Sequence, residues 1–303
     1  MVREWSDAYF MILKISIRVA IVAIILLVGF MLSLRFVGDS LVATTNHSLG
    51  AAPTDLPIET LEIASESGSN LAAWFAPNVA DSATVILLHP IRSDRRSMLG
   101  RARLLYAAGY SVLLVDLQAH GESPGEQITV GHLEKYDVRA IVNYVKARFP
   151  DHKIGIVGCS LGGASTLLAS PLGVDVVVIE SVYPTVEEAV YNRVGMRLGV
   201  AKHIVAPALL NQLEGRLGIS KDDLRPIDFI KDAGCPILIA TGDLDEHTPL
   251  AEAQSMFEVA QEPKLLVVFE GAAHEDLLKF DETKYRAKIL EFMEINLRSE
   301  QSN

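Results

Sequence analysis

A short apolar run leads into a serine between glycines in Lys153-Ile-Gly-Ile-Val-Gly-Cys-Ser-Leu-Gly-Gly-Ala-Ser-Thr-Leu-Leu-Ala-Ser170. The run predicts a buried strand, and the small and leucine-rich residues after Gly162 predict a helix. Only glycine fits beside so sharp a turn, because a Cβ two residues before or after the serine would collide with neighbouring backbone. The pattern Gly-x-Ser-x-Gly in this setting holds a serine in a strained, exposed conformation, which makes Ser160 a candidate nucleophile.

The same five-residue pattern occurs a second time, in Gly121-Glu-Ser-Pro-Gly125. There the residue after the serine is Pro124, which has no N–H to donate to an oxyanion. We therefore interpret Ser123 as a loop serine. The pattern alone also fits an ordinary glycine-rich turn at Ser160, so the assignment depends on partners elsewhere in the chain.

Composition limits the classes of protein to consider. The chain has 303 residues, a net charge of −11 and 50% hydrophobic residues. The acidic balance argues against nucleic acid as a partner. Without its apolar N-terminus, roughly 250 residues remain, enough for one large α/β domain. The two cysteines, Cys159 and Cys235, predict no disulfide framework, and no group of residues has metal-ligand spacing.

The N-terminal segment, residues 1–36, contains an uncharged stretch from Val19 to Leu34. Its apolar character extends backward, which predicts a transmembrane span over about residues 12–34. A cleaved signal peptide and a buried helix are the alternatives. We favour an uncleaved signal anchor, because no convincing cleavage site follows and an N-terminal helix that is apolar all round seldom finds a core.

The basic residues around this span predict its orientation. Three of them precede its uncharged part and one shortly follows it: Arg3, Lys14, Arg18 and, after the span, Arg35. The excess before the span predicts a cytoplasmic N-terminus and an extracytoplasmic globular domain.

The rest of the chain predicts a linker over 37–57, a globular domain over 58–296 and a short tail over 297–303. An edge hairpin opens the domain, and apolar runs then alternate with helical segments, which predicts a mostly parallel, doubly wound α/β sheet. The predicted strands cover residues 58–63, 71–75, 84–88, 110–115, 154–157, 174–179, 236–240 and 265–269; the predicted helices include 96–108, 133–148 and 276–296. Residues 185–225 interrupt the alternation and predict a helical cap over the carboxyl ends of the strands.

Acid and base candidates follow the last two predicted strands. Asp243 and Asp245 come after the strand that ends at Ala240, and His274 comes after the strand that ends at Phe269. The order serine, acid, histidine is the one expected for a strand-turn-helix nucleophile in such a sheet. His247 is a weaker candidate for the base, because it precedes the last strand.

These motifs resemble those of the α/β-hydrolases, in the serine aminopeptidase-like and esterase/lipase-like branch. The resemblance covers residues 58–296 and rests on four motifs: Gly158-Cys-Ser-Leu-Gly162, Gly242-Asp-Leu-Asp245 followed by Pro249, Gly271-Ala-Ala-His274, and Asp116-Leu-Gln-Ala-His-Gly-Glu-Ser123. It implies an α/β-hydrolase fold and a triad of Ser160, His274 and Asp245. The oxyanion hole it implies is formed by the N–H groups of Ile91 and Leu161. The chain departs from the family at Pro90, where glycine is usual, and at Gln118-Ala119, where Arg-Gly is usual.

The sequence thus predicts a membrane-anchored serine hydrolase that cleaves an ester or related acyl bond, with a small acyl or lipid-like substrate and neither cofactor nor metal. A serine aminopeptidase-like peptidase is one alternative. A catalytically silent binding module is another, because Pro90 changes the loop that should stabilise the oxyanion. The basic stretch formed by Arg92, Arg95, Arg96, Arg101 and Arg103 predicts a solvated helix face, with contact to an anionic lipid or substrate group as the alternative.

Overall fold

A computed structural model describes residues 2–78 and 83–298 of the chain, which divide into two units, Met1–Leu41 and Val42–Asn303. The described part of the first unit is helical throughout, and its helix α1, Val2–Val42, ends at the first residue of the second unit. Its segment Phe10–Val42 contains an 18-residue window with a mean hydropathy of 2.7 and no buried residue. By length and composition this helix is able to cross a bilayer.

The second unit is built on a sheet of eight strands whose order is β10-β9-β8-β7-β4-β5-β3-β2. Strands β2 and β3 form the predicted antiparallel hairpin at one edge, β3 is antiparallel to β5, and the six remaining strands run parallel. The strands are β2 Glu59–Ala64, β3 Asn70–Ala76, β4 Ala83–Leu88, β5 Ser111–Val115, β7 Lys153–Cys159, β8 Val176–Glu180, β9 Ile237–Gly242 and β10 Lys264–Phe269. The predicted mostly parallel sheet is confirmed.

Helices follow most of the parallel strands. They are α2 Leu99–Ala107, α3 Glu134–Arg148, α4 Leu161–Leu168, α5 Val186–Leu198, α6 Lys202–Leu217, α7 Pro226–Phe229, α8 Leu250–Val259, α9 Leu277–Phe280, α10 Glu282–Tyr285 and α11 Glu291–Leu297, with 3-10 turns at Arg95–Met98, Gly199–Ala201, Lys221–Asp223 and Ile230–Asp232. The single helix predicted over 276–296 is instead three short helices with a π-helical turn, Arg286–Leu290.

Both faces of the sheet are covered, as the continuous apolar runs predict. Alternate residues of β4 enter different layers: Ile86 and Leu88 pack with α3, α4 and α8, whereas Val85 and Leu87 pack with α2 and the C-terminal helices. Because six of the strands run parallel, their carboxyl ends come together at one edge of the sheet. The loops at that edge can bring residues that are distant in sequence into contact.

The predicted linker over 37–57 has more structure than its composition indicates. Helix α1 extends to Val42, and β1, Thr45–Asn46, pairs in parallel with β6, His120–Gly121. Leu49 is buried and its N–H donates to Glu122 Oε1 over 3.0 Å. Two-residue strands leave no periodic pattern, so this pairing has no signal in the sequence.

Candidate active site

Ser160 lies at the turn between β7 and α4, with φ 47° and ψ −109°. A positive φ is a strained conformation for a residue with a side chain. The flanking glycines permit it, because a Cβ at Gly158 would lie 2.6 Å from Gly163 N and one at Gly162 would lie 2.5 Å from Leu88 O. Gly158 lies so close to α4, and Gly162 so close to β4, that a residue with a side chain does not fit at either position. The predicted strand–turn–helix around Ser160 is therefore present.

Asp245 and His274 meet across the loops that follow β9 and β10. His274 Nδ1 lies 2.8 Å from Asp245 Oδ2. The two loops approach closely because a Cβ at Gly242 would lie 2.2 Å from Ala272 O. Gly242 thus makes the contact between acid and histidine possible, a role that the sequence did not reveal.

The Asp245 carboxylate is buried and held by its own loop. Its oxygens accept hydrogen bonds from His247 N at 2.8 Å, Thr248 N at 2.9 Å and Thr248 Oγ1 at 2.7 Å. Burial acts to raise its pKa, but the hydrogen bonds and the charge of His274 prevail, so that the pKa of Asp245 is lowered. Asp245 is therefore an ionised partner for the imidazole at neutral pH.

The alternative acid and base take other positions. Asp243 is exposed, and its Oδ1 accepts a hydrogen bond from Gly271 N, which ties the two loops together. His247 stacks on His274, with ring centroids 4.6 Å apart. Burial, followed by the charges of His274 and Arg193, lowers the pKa of His247. His247 thus packs beside the histidine that contacts the acid.

A cavity of about 380 Å³ brings these residues together. Ser160 and His274 line it, together with Ile91, Met98, Arg193 and His247 among others. Ser160 Oγ is buried and has no hydrogen-bond partner among the described residues, whereas Ser160 N donates to Glu180 O over 2.8 Å. The backbone is thus fixed while the hydroxyl is left available to a reactant.

Of the two residues predicted to form an oxyanion hole, Ile91 lines the cavity, and Leu161 directly follows the cavity-lining Ser160. Leu161 is the first residue of α4, and Ile91 follows Pro90 in the loop after β4. In the described part of the chain, neither backbone N–H donates a hydrogen bond. Both donors are therefore free, and the one at Leu161 also belongs to a helix N-terminus, where the helix dipole favours negative charge.

His89 fixes the peptide group that carries the Ile91 N–H. Its Nδ1 lies 2.8 Å from Pro90 O, and its Nε2 accepts a hydrogen bond from Leu117 N over 3.0 Å. Because Nε2 is an acceptor, the proton is on Nδ1 and donates to the Pro90 carbonyl. In a trans peptide the C=O and the following N–H point in opposite directions, so holding Pro90 O sets the direction of the Ile91 N–H. The His89 side chain thus holds the Pro90 peptide group in place, at the position where the family usually has glycine.

Burial lowers the pKa of His89 to about 4, with the hydrogen bond to Pro90 opposing the shift. His89 is consequently neutral at physiological pH and keeps both its donor and its acceptor role. Its ring packs at 5.0 Å from that of His120, whose pKa is also lowered to about 4, by burial and then by His89. Both histidines have structural roles in the loops beside the cavity.

The prediction of a solvated basic face is wrong for Arg95 and Arg101, which are 1% and 3% exposed. Arg95 pairs with Asp116 and Glu122 and lies over the Trp74 ring at 4.3 Å. The partners come from strands and loops distant in sequence, so the local pattern could not reveal them. The exposed arginines of the stretch include Arg96, which pairs with Asp94, and Arg103, which pairs with Asp55.

Arg101 lies under the cavity in a buried polar group. Its Nε is 2.9 Å from Glu180 Oε1, its Nη1 is 2.9 Å from Asp276 Oδ1, and Tyr285 Oη donates to Glu180 over 2.6 Å. Burial and the neighbouring carboxylate Glu180 raise the pKa of Cys159 well above its ordinary value, although Arg101 opposes this. The thiol beside the serine is therefore protonated and unreactive.

The second Gly-x-Ser-x-Gly turn has a saturated serine. Ser123 Oγ donates to Asp116 O over 2.6 Å and accepts from Ala72 N at 2.9 Å. Ser69 Oγ donates to Pro124 O over 2.7 Å, and a Cβ at Gly125 would lie 2.5 Å from Ala119 N. No residue of this turn lines the cavity.

Comparison with known proteins agrees with this architecture. A family model described as serine aminopeptidase S33 matches residues 80–178, about a third of the chain. The Bacillus subtilis (strain 168) protein YqkD, described as uncharacterized, is 24% identical over 233 residues, which are 75% of this chain and 74% of that protein.

Among solved structures, an esterase from Pyrococcus furiosus superposes with a TM-score of 0.71 and 21% identity, and covers 85% of this chain and 99% of its own. A Xanthomonas campestris α/β serine hydrolase, described as lacking a lid, gives a TM-score of 0.57 at 20% identity, over 82% of this chain and 98% of its own. These superpositions show that the chain has the α/β-hydrolase fold, and the partial match to the family model agrees with the resemblance seen in the sequence.

Proposed function

We propose that this protein is a membrane-anchored serine hydrolase that cleaves an ester or related acyl bond. The observation that carries the proposal is the 2.8 Å contact of His274 with Asp245, beside a strained serine whose hydroxyl has no partner in the described structure. In this proposal Ser160 is the nucleophile, His274 is the general base, and Asp245 orients the imidazole.

The proposed reaction proceeds through an acyl-enzyme. Ser160 Oγ attacks the carbonyl carbon while His274 Nε2 takes the hydroxyl proton, and Asp245 stabilises the resulting imidazolium. The N–H groups of Ile91 and Leu161 donate to the oxyanion of the tetrahedral intermediate. The leaving alcohol or amine then takes the proton from His274. Water, deprotonated by the same histidine, releases the acid and regenerates Ser160.

The bond that is cleaved distinguishes two candidate activities. The similarity to an esterase structure favours an ester, whereas the family model's description as a serine aminopeptidase keeps a peptidase as the second candidate. Hydrolysis of 4-nitrophenyl esters compared with aminoacyl anilides separates them. We expect ester hydrolysis with a higher kcat/KM; the reverse ranking would favour the peptidase.

Membrane anchoring is proposed from α1, whose apolar window has the length and composition of a span. The basic residues that precede it favour a cytoplasmic N-terminus, with the hydrolase unit on the extracytoplasmic side. Protease treatment of intact spheroplasts should then degrade the hydrolase unit. Full protection of that unit would reverse the proposed orientation.

The direct test of the nucleophile is labelling of the full chain, in detergent micelles, with a fluorophosphonate probe. We expect the wild type to be labelled and the Ser160→Ala variant to remain unlabelled. The Ser123→Ala variant is the matched control and should label like the wild type. A folded wild type that does not react would instead favour a silent binding module.

A further inference from the structure

The cavity beside Ser160 is bordered by two arginines in different states. Arg101 is buried and bound by Glu180 and Asp276. Arg193, on helix α5, is half-buried, and its Nη1 donates to Ala189 O over 3.0 Å. No carboxylate in the described part of the chain forms an ion pair with Arg193, and its other N–H groups have no acceptor there.

Arg193 is half-buried and has no ion-pair partner in the described structure, so its guanidinium has lost part of its hydration without gaining a counter-charge. Removing a charged group from water is unfavourable, and buried charges are normally paired. Burial lowers the pKa of Arg193, while Tyr183, Asp245 and Glu252 oppose the shift. Asp245 is bound to His274, and Glu252 Oε1 accepts from Asn192 Nδ2 over 2.5 Å. Neither carboxylate forms an ion pair with Arg193, although Glu252 Oε2 has no hydrogen-bond partner in the described structure.

The position of α5 explains why this guanidinium reaches the cavity. The helix begins after β8, with Thr185 Oγ1 accepting from Glu188 N at its N-terminus. One residue before Arg193, Asn192 Nδ2 donates to His247 O over 3.2 Å, which ties the helix to the loop of the acid. A guanidinium on a helix held in this way is pre-organised for an anion, and its planar donors suit a carboxylate or phosphate.

We propose that Arg193 binds an anionic oxygen group of the substrate, a carboxylate or a phosphate. The hydrolysed molecule then carries a negative charge on the part of the substrate directed toward α5, away from the scissile acyl bond. This inference rests on the proposed hydrolase function and assigns its substrate class: anionic esters in preference to neutral ones. Arg193 is in this proposal a specificity-determining residue.

The kinetic test uses the full chain in detergent and matched esters. Mono-4-nitrophenyl esters of glutaric, adipic and suberic acid carry a terminal carboxylate at increasing distance, and their methyl-capped forms are the neutral comparators. A 4-nitrophenyl 6-phosphonooxyhexanoate distinguishes phosphate from carboxylate. We expect the wild type to prefer an anionic ester by about 10- to 100-fold in kcat/KM, as for one charge-assisted hydrogen-bonded contact.

Three variants separate recognition from packing. Arg193→Gln should abolish the preference, with a loss of kcat/KM on the anionic esters about tenfold or more larger than any change on the capped esters. Arg193→Lys should restore part of the preference, because the charge remains without the planar donors. Arg197→Gln, an exposed arginine one turn along the same helix, is the matched control and should behave as the wild type. A preference that survives in Arg193→Gln, or an equal loss on charged and capped esters, would overturn the proposal.

A binding measurement keeps this inference separate from the hydrolase proposal. Titration calorimetry of Ser160→Ala with adipate and with hexyl phosphate needs no turnover. Binding of either anion should be lost when Arg193→Gln is added, and should persist with Arg197→Gln. If no ester is hydrolysed but this pattern holds, the proposed activity is wrong and the anion site stands. Equal binding by all three proteins, or by none, overturns the site.

Discussion

Two turns in this protein share the pattern Gly-x-Ser-x-Gly, and their serines differ in every respect that matters for chemistry. Ser160 is strained at φ 47°, and its hydroxyl has no partner among the described residues. Ser123 is fully buried, and its hydroxyl both donates and accepts a hydrogen bond. The two turns therefore differ in the hydrogen-bonding state of their serines: the Ser160 hydroxyl is unused beside a cavity, whereas the Ser123 hydroxyl is fully engaged.

The largest contrast is expected when each serine is replaced by alanine. Ser160→Ala should lower kcat by at least about 10⁴-fold, because the attacking group is lost, with little change in stability. Ser123→Ala should retain kcat but reduce the free energy of unfolding by about 1–3 kcal/mol, because the half-buried Ala72 N–H loses its acceptor and the buried Asp116 carbonyl loses a donor. Ester turnover and urea unfolding measure the two effects. Equal losses of activity in both variants would remove the distinction.

Asp137, which holds the chain just before the second turn, should make the free energy of unfolding depend on pH. Asp137 Oδ2 accepts from Gln118 N over 2.8 Å, and burial raises the pKa of Asp137 from 3.8 to about 7, despite hydrogen bonds from Ser67, Gln118 and Ser65. Between these two values the folded state keeps a proton that the unfolded chain releases. The stabilising contribution of the proton is therefore complete below pH 3.8 and is lost as the pH rises to about 7.

Asp137→Asn tests this linkage. The wild type should lose up to about 1.4 kcal/mol of unfolding free energy per pH unit through this group, and the variant should lack that slope. Urea unfolding of both proteins across the interval from acid to neutral pH gives the difference directly. Parallel curves for the two proteins would show that Asp137 does not retain the proton.

Replacing a glycine by alanine should destabilise the two turns to a similar extent. Gly162→Ala and Gly125→Ala each place a Cβ 2.5 Å from backbone, at Leu88 O and Ala119 N. Both substitutions should therefore destabilise the protein by about 1–3 kcal/mol. Gly215→Ala is the control, because a Cβ on that α6 residue meets nothing within 4 Å. Should Gly125→Ala prove as neutral as Gly215→Ala, the second turn would be looser than described.

The smallest effect on activity is expected at His89, which connects the Pro90 loop beside Ser160 to the loop that contains Ser123. His89 holds Pro90 O and accepts from Leu117 N, and Leu117 belongs to the loop of the second turn. His89→Ala should lower kcat about tenfold with KM unchanged, because the proposed Ile91 donor remains but loses its orientation. His203→Ala, on an exposed face of α6, is the control. A change in KM alone would indicate a role in binding.

The sequence predicted those features that arise from local pattern. Continuous apolar runs predicted the buried strands, and their alternation with helical segments predicted the parallel sheet, because both depend on residues close in sequence. The loops that hold Asp245 and His274 were predicted from their positions after strands, since parallel strands end at one edge. Their 2.8 Å contact agrees with that reasoning.

The features that escaped prediction depend on residues brought together by the fold. The burial of Arg95 and Arg101 depends on carboxylates in other strands and loops, and the exposed helix face was the simplest interpretation of the arginines alone. The close approach of Gly242 to Ala272 and the unpaired state of Arg193 likewise have no local signature. A sequence indicates which residue types are present, whereas pairing and saturation become visible only in three dimensions.

The β1–β6 pairing has a practical consequence for producing a soluble form of the protein. The composition sets the predicted start of the domain at residue 58, but a chain that starts there lacks Thr45, Asn46 and Leu49. It would expose the backbone of His120–Gly121 as an open edge, and such edges promote aggregation. A shortened chain that begins at Val42, where the compact unit starts, retains these contacts and is the better choice for expression and crystallisation.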